Sequence, residues 1–173
     1  MKSRKLRVPP NPTADRGGAE IQDVESFGLD RSSITEFLQL SNGISTAAYY
    51  HTFSDGNGNA LDGTNPGGYI LTFSKDELPQ ARLFWSLTAY TPNAIELVPN
   101  SADKYVVASY LSDLRYNSDG SLDVYMSTQQ PSGVPTTNWL PIPPGKFNIM
   151  LRVYGPEGDV ADNTYVPPPI QRQ

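Results

Sequence analysis

The residues best suited to chemistry are few, and they constrain the function at once. His51 is the one imidazole in a chain of 173 residues with no cysteine. A hydrolase reading makes His51 the base, Ser86 the nucleophile and Asp55 the orienting acid, because acyl transfer needs those three types in mutual hydrogen-bond reach. No nucleophile-elbow pattern surrounds any serine, and an ordinary sheet histidine accounts for His51 equally. Asp55 and Asp62 flank the loop Asp55-Gly-Asn-Gly-Asn-Ala-Leu-Asp62. It lacks the spacing and the acidic twelfth ligand of a calcium loop, so Asx turns explain it better. Asp113, Asp119 and Asp123 surround a second turn. Two carboxylates set across a cleft would suit glycoside hydrolysis. Without cysteine and with one histidine, neither a thiolate metal centre nor a zinc site is expected, and no cofactor is called for.

Binding chemistry is better represented than catalytic chemistry. Tyr90, Tyr110, Tyr116, Tyr125 and Trp139 lie on or beside strand-like segments, and rings with a polar handle suit sugar faces and protein interfaces. Arg82 and Arg152 interrupt apolar runs, where a guanidinium must reach solvent or find a carboxylate. An internal ion pair or a subunit contact is the favoured role for both, and Arg152 joins the five rings as a binding candidate. A glycan is the possible small ligand.

These side chains must be carried by strands. From Lys146 to Tyr154 the residues alternate, with Phe147, Ile149, Leu151 and Val153 on one wholly apolar face. Pro141, Pro143 and Pro144 delay the start of pairing, and Gly155-Pro156 is expected to end it. Ala47 to Phe53, Tyr69 to Phe73 and Tyr105 to Tyr110 are further strand candidates. Arg82 to Tyr90 carries bulk on both faces and is expected to be central. Asn117-Ser-Asp-Gly120 between Leu114-Arg-Tyr116 and Leu122 to Met126 predicts a hairpin. Ser33 and Glu36 have capping-box spacing, and Ile34, Phe37 and Leu38 then share one side, predicting a helix over 33–43 that ends at Asn42-Gly43.

The ordered series Phe84-Trp-Ser-Leu-Thr88, Tyr116-Asn-x-Asp-Gly-Ser-Leu122, Asn138-Trp-Leu-Pro-x-Pro143, Leu151-Arg-Val-Tyr154 and Pro167-Pro-x-Ile170 resembles the family called domain of unknown function 1214. The resemblance spans about residues 50–170. It implies an antiparallel β-sandwich of jelly-roll type that usually follows a partner module, domain of unknown function 1254. In the sequence given, a basic arm and a short helix are expected where that partner would lie. The resemblance implies no catalytic residues.

Composition agrees with strands and turns. Fourteen glycines, sixteen prolines and ten tyrosines exceed ordinary usage. A chain of this length buries roughly 70% of its unfolded surface, enough for one core. The expected organisation is a basic, proline-rich arm over 1–18 and a single β-sandwich domain over 19–173. The fold class is all-β, a jelly-roll-like sandwich with one short N-terminal helix and extended termini. The net charge is −5, yet Lys2, Arg4, Lys5, Arg7 and Arg16 face Asp15 alone in the arm, so the body is more acidic still. An acidic body argues against nucleic acid, and no apolar run is long enough to span a membrane. The chain reads as soluble, with an extracellular or cell-surface location open to it if a leader has been removed. Opposite charge on arm and body, and extended ends at both termini, point to homo-oligomers or filaments formed through the arms.

Overall fold

In this computed structural model the described residues are 46–92 and 96–173. The expected arm and the helix over 33–43 lie outside them. Eight strands are formed: β1 (Ala47–Thr52), β2 (Tyr69–Phe73), β3 (Ala81–Tyr90), β4 (Val107–Ala108), β5 (Leu122–Ser127), β6 (Trp139–Pro141), β7 (Asn148–Pro156) and β8 (Gln171–Arg172). They make two four-stranded sheets, ordered β1-β7-β3-β4 and β6-β5-β2-β8. The first is antiparallel throughout, whereas β5 and β6 in the second run parallel. The chain is an all-β sandwich, as expected.

Alternation selects the inner face. Phe147, Ile149, Leu151 and Val153 are buried together with Trp85, Leu87 and Ala89 of β3. Opposite them lie Tyr69, Leu71 and Phe73 of β2 and Leu122, Val124 and Met126 of β5, in one continuous cluster. Rings lock the layers: Tyr69 meets Phe147 edge-on at 5.7 Å between centroids, and Phe73 meets Trp85 at 5.7 Å. The Tyr69 hydroxyl is satisfied inside the core, accepting from the Asp62 N–H at 2.9 Å and donating to the Asp62 carbonyl at 3.0 Å. Strand β3 lies between β7 and β4, so bulk on both its faces did mark an internal position.

Two expectations are corrected and one holds. β7 ends with the Gly155-Pro156 pair, as expected; Gly155, with φ of +64°, turns the backbone where the β3 register slips between Ala81 and Phe84, and Pro156 is the last residue of the strand. A side chain would be strained in that left-handed conformation. The turn at Asn117–Gly120 forms, with Gly120 at φ +86°, but Leu114 to Tyr116 is not a strand. Asn138 replaces the missing ladder: its Oδ1 accepts from the Arg115 N–H at 2.9 Å, and its Nδ2 donates to the carbonyls of Arg115 and Asp123 at 2.8 and 2.9 Å. With the side-chain amide bonding both segments, β5 pairs instead with β2 and β6. The Tyr105 to Tyr110 candidate contracts to Val107–Ala108.

The proline-rich end packs on its own domain. Ile170 enters the core, Gly56 N–H donates to its carbonyl at 2.7 Å, and β8 pairs with β2. A single turn of helix, α1 (Gly158–Ala161), precedes it and buries Val160.

Replacing Phe147 with Ala removes a ring that touches both layers. Urea unfolding is expected to register a loss of about 3–5 kcal/mol; a loss below 1 kcal/mol, as at an exposed position, would contradict this packing.

Candidate functional site

The outer face of the first sheet gathers most of the polar and aromatic candidates. Opposite residues of antiparallel strands share a face, so register alone lays out rows across β1, β7 and β3. His51, Met150 and Thr88 form one row; Tyr49, Arg152 and Ser86 the next; Ala47, Tyr154 and Phe84 the third. Tyr90 stands opposite Asn148 at the other end. From the Asn148 row to the Arg152 row is about 14 Å along the strand. Even so, an Arg152 Nη donates to the Tyr90 hydroxyl at 2.7 Å, and its guanidinium carbon lies 5.2 Å from the Tyr90 ring centre. The two side chains therefore lean toward each other above Thr88 and Met150, which are buried.

Among the described residues Arg152 forms no ion pair: the salt bridge there joins Arg172 to Asp55 at 3.7 Å, and no carboxylate meets Arg152. A half-buried guanidinium with one donor committed to a phenol keeps its remaining donors for solvent or an anion. Beside it, Phe84 stacks on Tyr154 at 4.6 Å and meets Tyr110 edge-on at 5.3 Å; Tyr110 is 58% exposed. Arg82, by contrast, is exposed at the start of β3.

The catalytic candidates are not drawn together. His51 Nε2 and Asn148 Oδ1 are 2.6 Å apart, and Asn148 Nδ2 donates to the Thr91 carbonyl at 3.0 Å, which orients the amide so that the imidazole is the donor. His51 Nδ1 is buried and has no hydrogen-bond partner among the described residues. Ser86 shares the face with His51 but sits on β3, with β7 between them, so strand axes alone separate them by roughly 9–10 Å. Asp55 is occupied elsewhere, accepting at Oδ1 from the N–H groups of Asn57 and Asn59, each at 2.9 Å.

The remaining rings divide between surfaces. Tyr125 and Trp139 lie on the outside of the second sheet, and Trp139, only 6% exposed, donates its indole N–H to the Ser127 carbonyl and hydroxyl at 3.2 and 3.1 Å. Tyr116 is 48% exposed just before the Asn117–Gly120 turn. Asp119 and Asp123 are engaged there: Asp119 accepts from the Ser121 N–H and hydroxyl, Asp123 from Thr72 and Asn117. A cavity of about 30 Å³ between the sheets, lined by Tyr50, Leu71, Leu87, Ile149, Leu151 and Ile170, has room for a water and not for a substrate. Burial pushes the Tyr50 phenol up to about 12, and burial followed by the charges of Tyr50 and Glu77 pushes Tyr165 higher, so both stay protonated at neutral pH. No cluster of metal-ligating side chains is present among the described residues.

Two side chains that organise this region were not read from the sequence, Asn138 and Asn148. Nothing in residue type marks them; only their cross-strand neighbours do.

With the geometry in place, likeness to known proteins becomes informative. Residues 46–158 match the family model described as a protein of unknown function, DUF1214. The chain belongs to the DUF1214 family. A similar solved structure is that of the VPA0106 protein from Vibrio parahaemolyticus, 25% identical with a TM-score of 0.64, over 73% of this chain and 30% of that one. An uncharacterised protein from Burkholderia cenocepacia is 18% identical with a TM-score of 0.45, over 73% of this chain and 29% of that one. The chain thus spans under a third of the length of the solved proteins it resembles. No curated protein matches it. Among the described residues of this DUF1214 chain, no helix is long and apolar enough to cross a membrane.

Asp55, away from this face, gives the fold a defined pH response. Burial raises its carboxyl, but hydrogen bonds from the Asn59 and Asn57 N–H groups and the Asn59 amide, with the charge of Arg172, hold it below its ordinary 3.8. A carboxylate whose folded value is depressed adds stability that is present above the unfolded value and lost as pH falls through the folded one. Unfolding free energy should therefore fall as pH drops below about 4, and Asp55→Asn should flatten that slope. Equal slopes for both proteins in urea titrations would show that Asp55 is not the group responsible.

Proposed function

We propose that this DUF1214 chain is a binding module that holds an anionic group at Arg152, on the outer face of its first sheet. The observation that carries the reading is Arg152 itself: central in the sheet, braced by Tyr90, without an acid partner among the described residues, and bordered by the Phe84, Tyr154 and Tyr110 rings. A ring platform beside a cation fits a sugar acid, whose ring face stacks while its carboxylate takes paired N–H donors. The alternative, a hydrolase acting on a polar ester or glycan, is supported by residue types alone. Glucuronate, titrated against glucose at matched ionic strength and followed at the Arg152 Nε–H by NMR, is the test. Glucuronate should shift that resonance saturably and glucose should not, with Arg152→Gln weakening glucuronate binding about 10- to 100-fold. Equal responses to both sugars, or none, would end this reading.

Self-assembly is the second part of the proposal. It is supported by the charge contrast between Met1–Arg16 and the acidic body. With the C-terminus seated on its own domain, this part of the proposal rests on the N-terminal arm alone. Deleting Met1–Arg16 should leave the circular dichroism unchanged and lower the mass seen by light scattering; an unchanged mass removes the arm from the assembly.

A further inference from the structure

Residues 166–173 are held to the second sheet by few bonds. β8 gives two residues to the ladder with β2, and Pro167, Pro168 and Pro169 have no N–H to offer. Beyond that ladder, the Gly56 N–H donates to the Ile170 carbonyl at 2.7 Å and the Gln173 N–H to the Gly68 carbonyl at 3.0 Å. Ile170 is the buried side chain of the segment, while Gln171, Arg172 and Gln173 are exposed. The root is fastened separately: the Tyr165 hydroxyl donates to the Glu77 carbonyl at 2.7 Å, and its ring meets Tyr50 edge-on at 5.4 Å. A segment with few buried contacts and a fixed root can open at lower free energy than the core.

The seat is shaped for this segment. Neither Gly56 nor Gly67 has a positive φ, so no left-handed turn calls for glycine there. A Cβ on Gly67 would run into the Gln173 carbonyl, and one on Gly56 would come within 2.8 Å of the Gln171 amide nitrogen and 3.2 Å of Pro169 Cβ. Close approach of the tail is what requires both. Beneath it, Pro167, Pro168 and Ile170 form one wall of the cavity between the sheets, whose other walls include Leu71, Leu87 and Ile149. Lifting the segment would open that space and leave β7 paired with β1 and β3, and β5 with β2 and β6.

Asp55, its side chain fully buried, ties the seat together. Its carboxylate accepts from the Asn57 and Asn59 N–H groups and the Asn59 amide, ordering the loop that presents the Gly56 N–H, and lies 3.7 Å from the Arg172 guanidinium.

We propose that residues 166–173 form a strap, hinged at Tyr165 and latched at Asp55, that lifts as a unit and exposes the space between the sheets while both sheets stay folded. Acid is its release. Arg172 is the charge acting on Asp55 among the described residues; Asp62, on the same loop, feels Arg172 and Lys146. Because the folded Asp55 carboxyl is held below its ordinary 3.8, the latch holds above that value and is lost as pH falls through the folded one.

Amide exchange by NMR on the full chain tests it, read at Gly56 and Gln173 for the strap and along β7 for the sandwich. At neutral pH the strap amides should open about 100-fold more often than those of β7, with little response to low urea. Leu140 is buried on β6, at the opposite margin of the second sheet from β8. Leu140→Ala, or the milder Leu140→Val, should raise β7 opening by about tenfold or more and leave the strap amides unchanged. Gly67→Ala should raise strap opening by about tenfold. Below about pH 4 the uncharged dye Nile red should brighten before far-ultraviolet circular dichroism is lost, and Asp55→Asn should brighten it at neutral pH. Strap amides that open no more often than β7, or that follow the Leu140 variants, overturn the proposal. Dye binding that begins only with loss of circular dichroism overturns it as well.

Discussion

The two ladders that hold β7 between β1 and β3 are the constraint on which the rest of the structure depends. Each residue of β7 bonds in one direction and points its side chain to one face, so a single register decides which residues enter the core and which form the outer surface. Burying Phe147, Ile149, Leu151 and Val153 is worth about 1.5–3 kcal/mol each, and a slip of one residue would exchange that face for Asn148, Met150, Arg152 and Tyr154. The core therefore fixes the position of Arg152. A surface placed in this way inherits the rigidity of the sheet beneath it.

The outer face has a graded character that follows from its neighbours. At the Asn148 end, amide, imidazole and backbone carbonyl bond to one another. In the middle, Tyr90 and Arg152 meet over Met150 and Thr88, so a phenol and a cation lie across buried side chains. At the far end the rings of Phe84, Tyr154 and Tyr110 lie against one another. Such a face is stable in water because its charged head stays wet while its stem and ring cover the sheet. The second sheet is more settled on its outside, where Trp139 is tied to Ser127 and Asp123 to Thr72 and Asn117.

Much of the sandwich was legible in the sequence, and the reason is periodicity. Alternation in β2, β5 and β7 is strict enough that the apolar face could be read directly, and family resemblance agreed with it. What escaped was non-periodic. The hairpin failed at Leu114 because one side chain, Asn138, does the work of a strand, and no local pattern announces that substitution. Gly155 and Pro156 do end β7, yet no local pattern announced that the positive φ of Gly155 would coincide with an irregularity in the β3 register. The six binding candidates were chosen by residue type, and type does not tell which face a side chain takes; only pairing separates Tyr90 and Arg152 from Tyr125 and Trp139. His51, Ser86 and Asp55 were near in sequence logic and distant in the fold for the same cause.

The register of β7 can be measured without reference to any ligand. Since Thr46 and Gly155 are a hydrogen-bonded pair, Tyr49 with Arg152 and Leu87 with Leu151 fall at non-hydrogen-bonded positions, where α-protons of opposite residues come closest. Strong nuclear Overhauser effects between those two pairs of α-protons are the predicted result. Finding Tyr49 instead coupled to Leu151 or Val153 would mean a shifted strand, with Arg152 turned toward the core and the outer face described above dissolved.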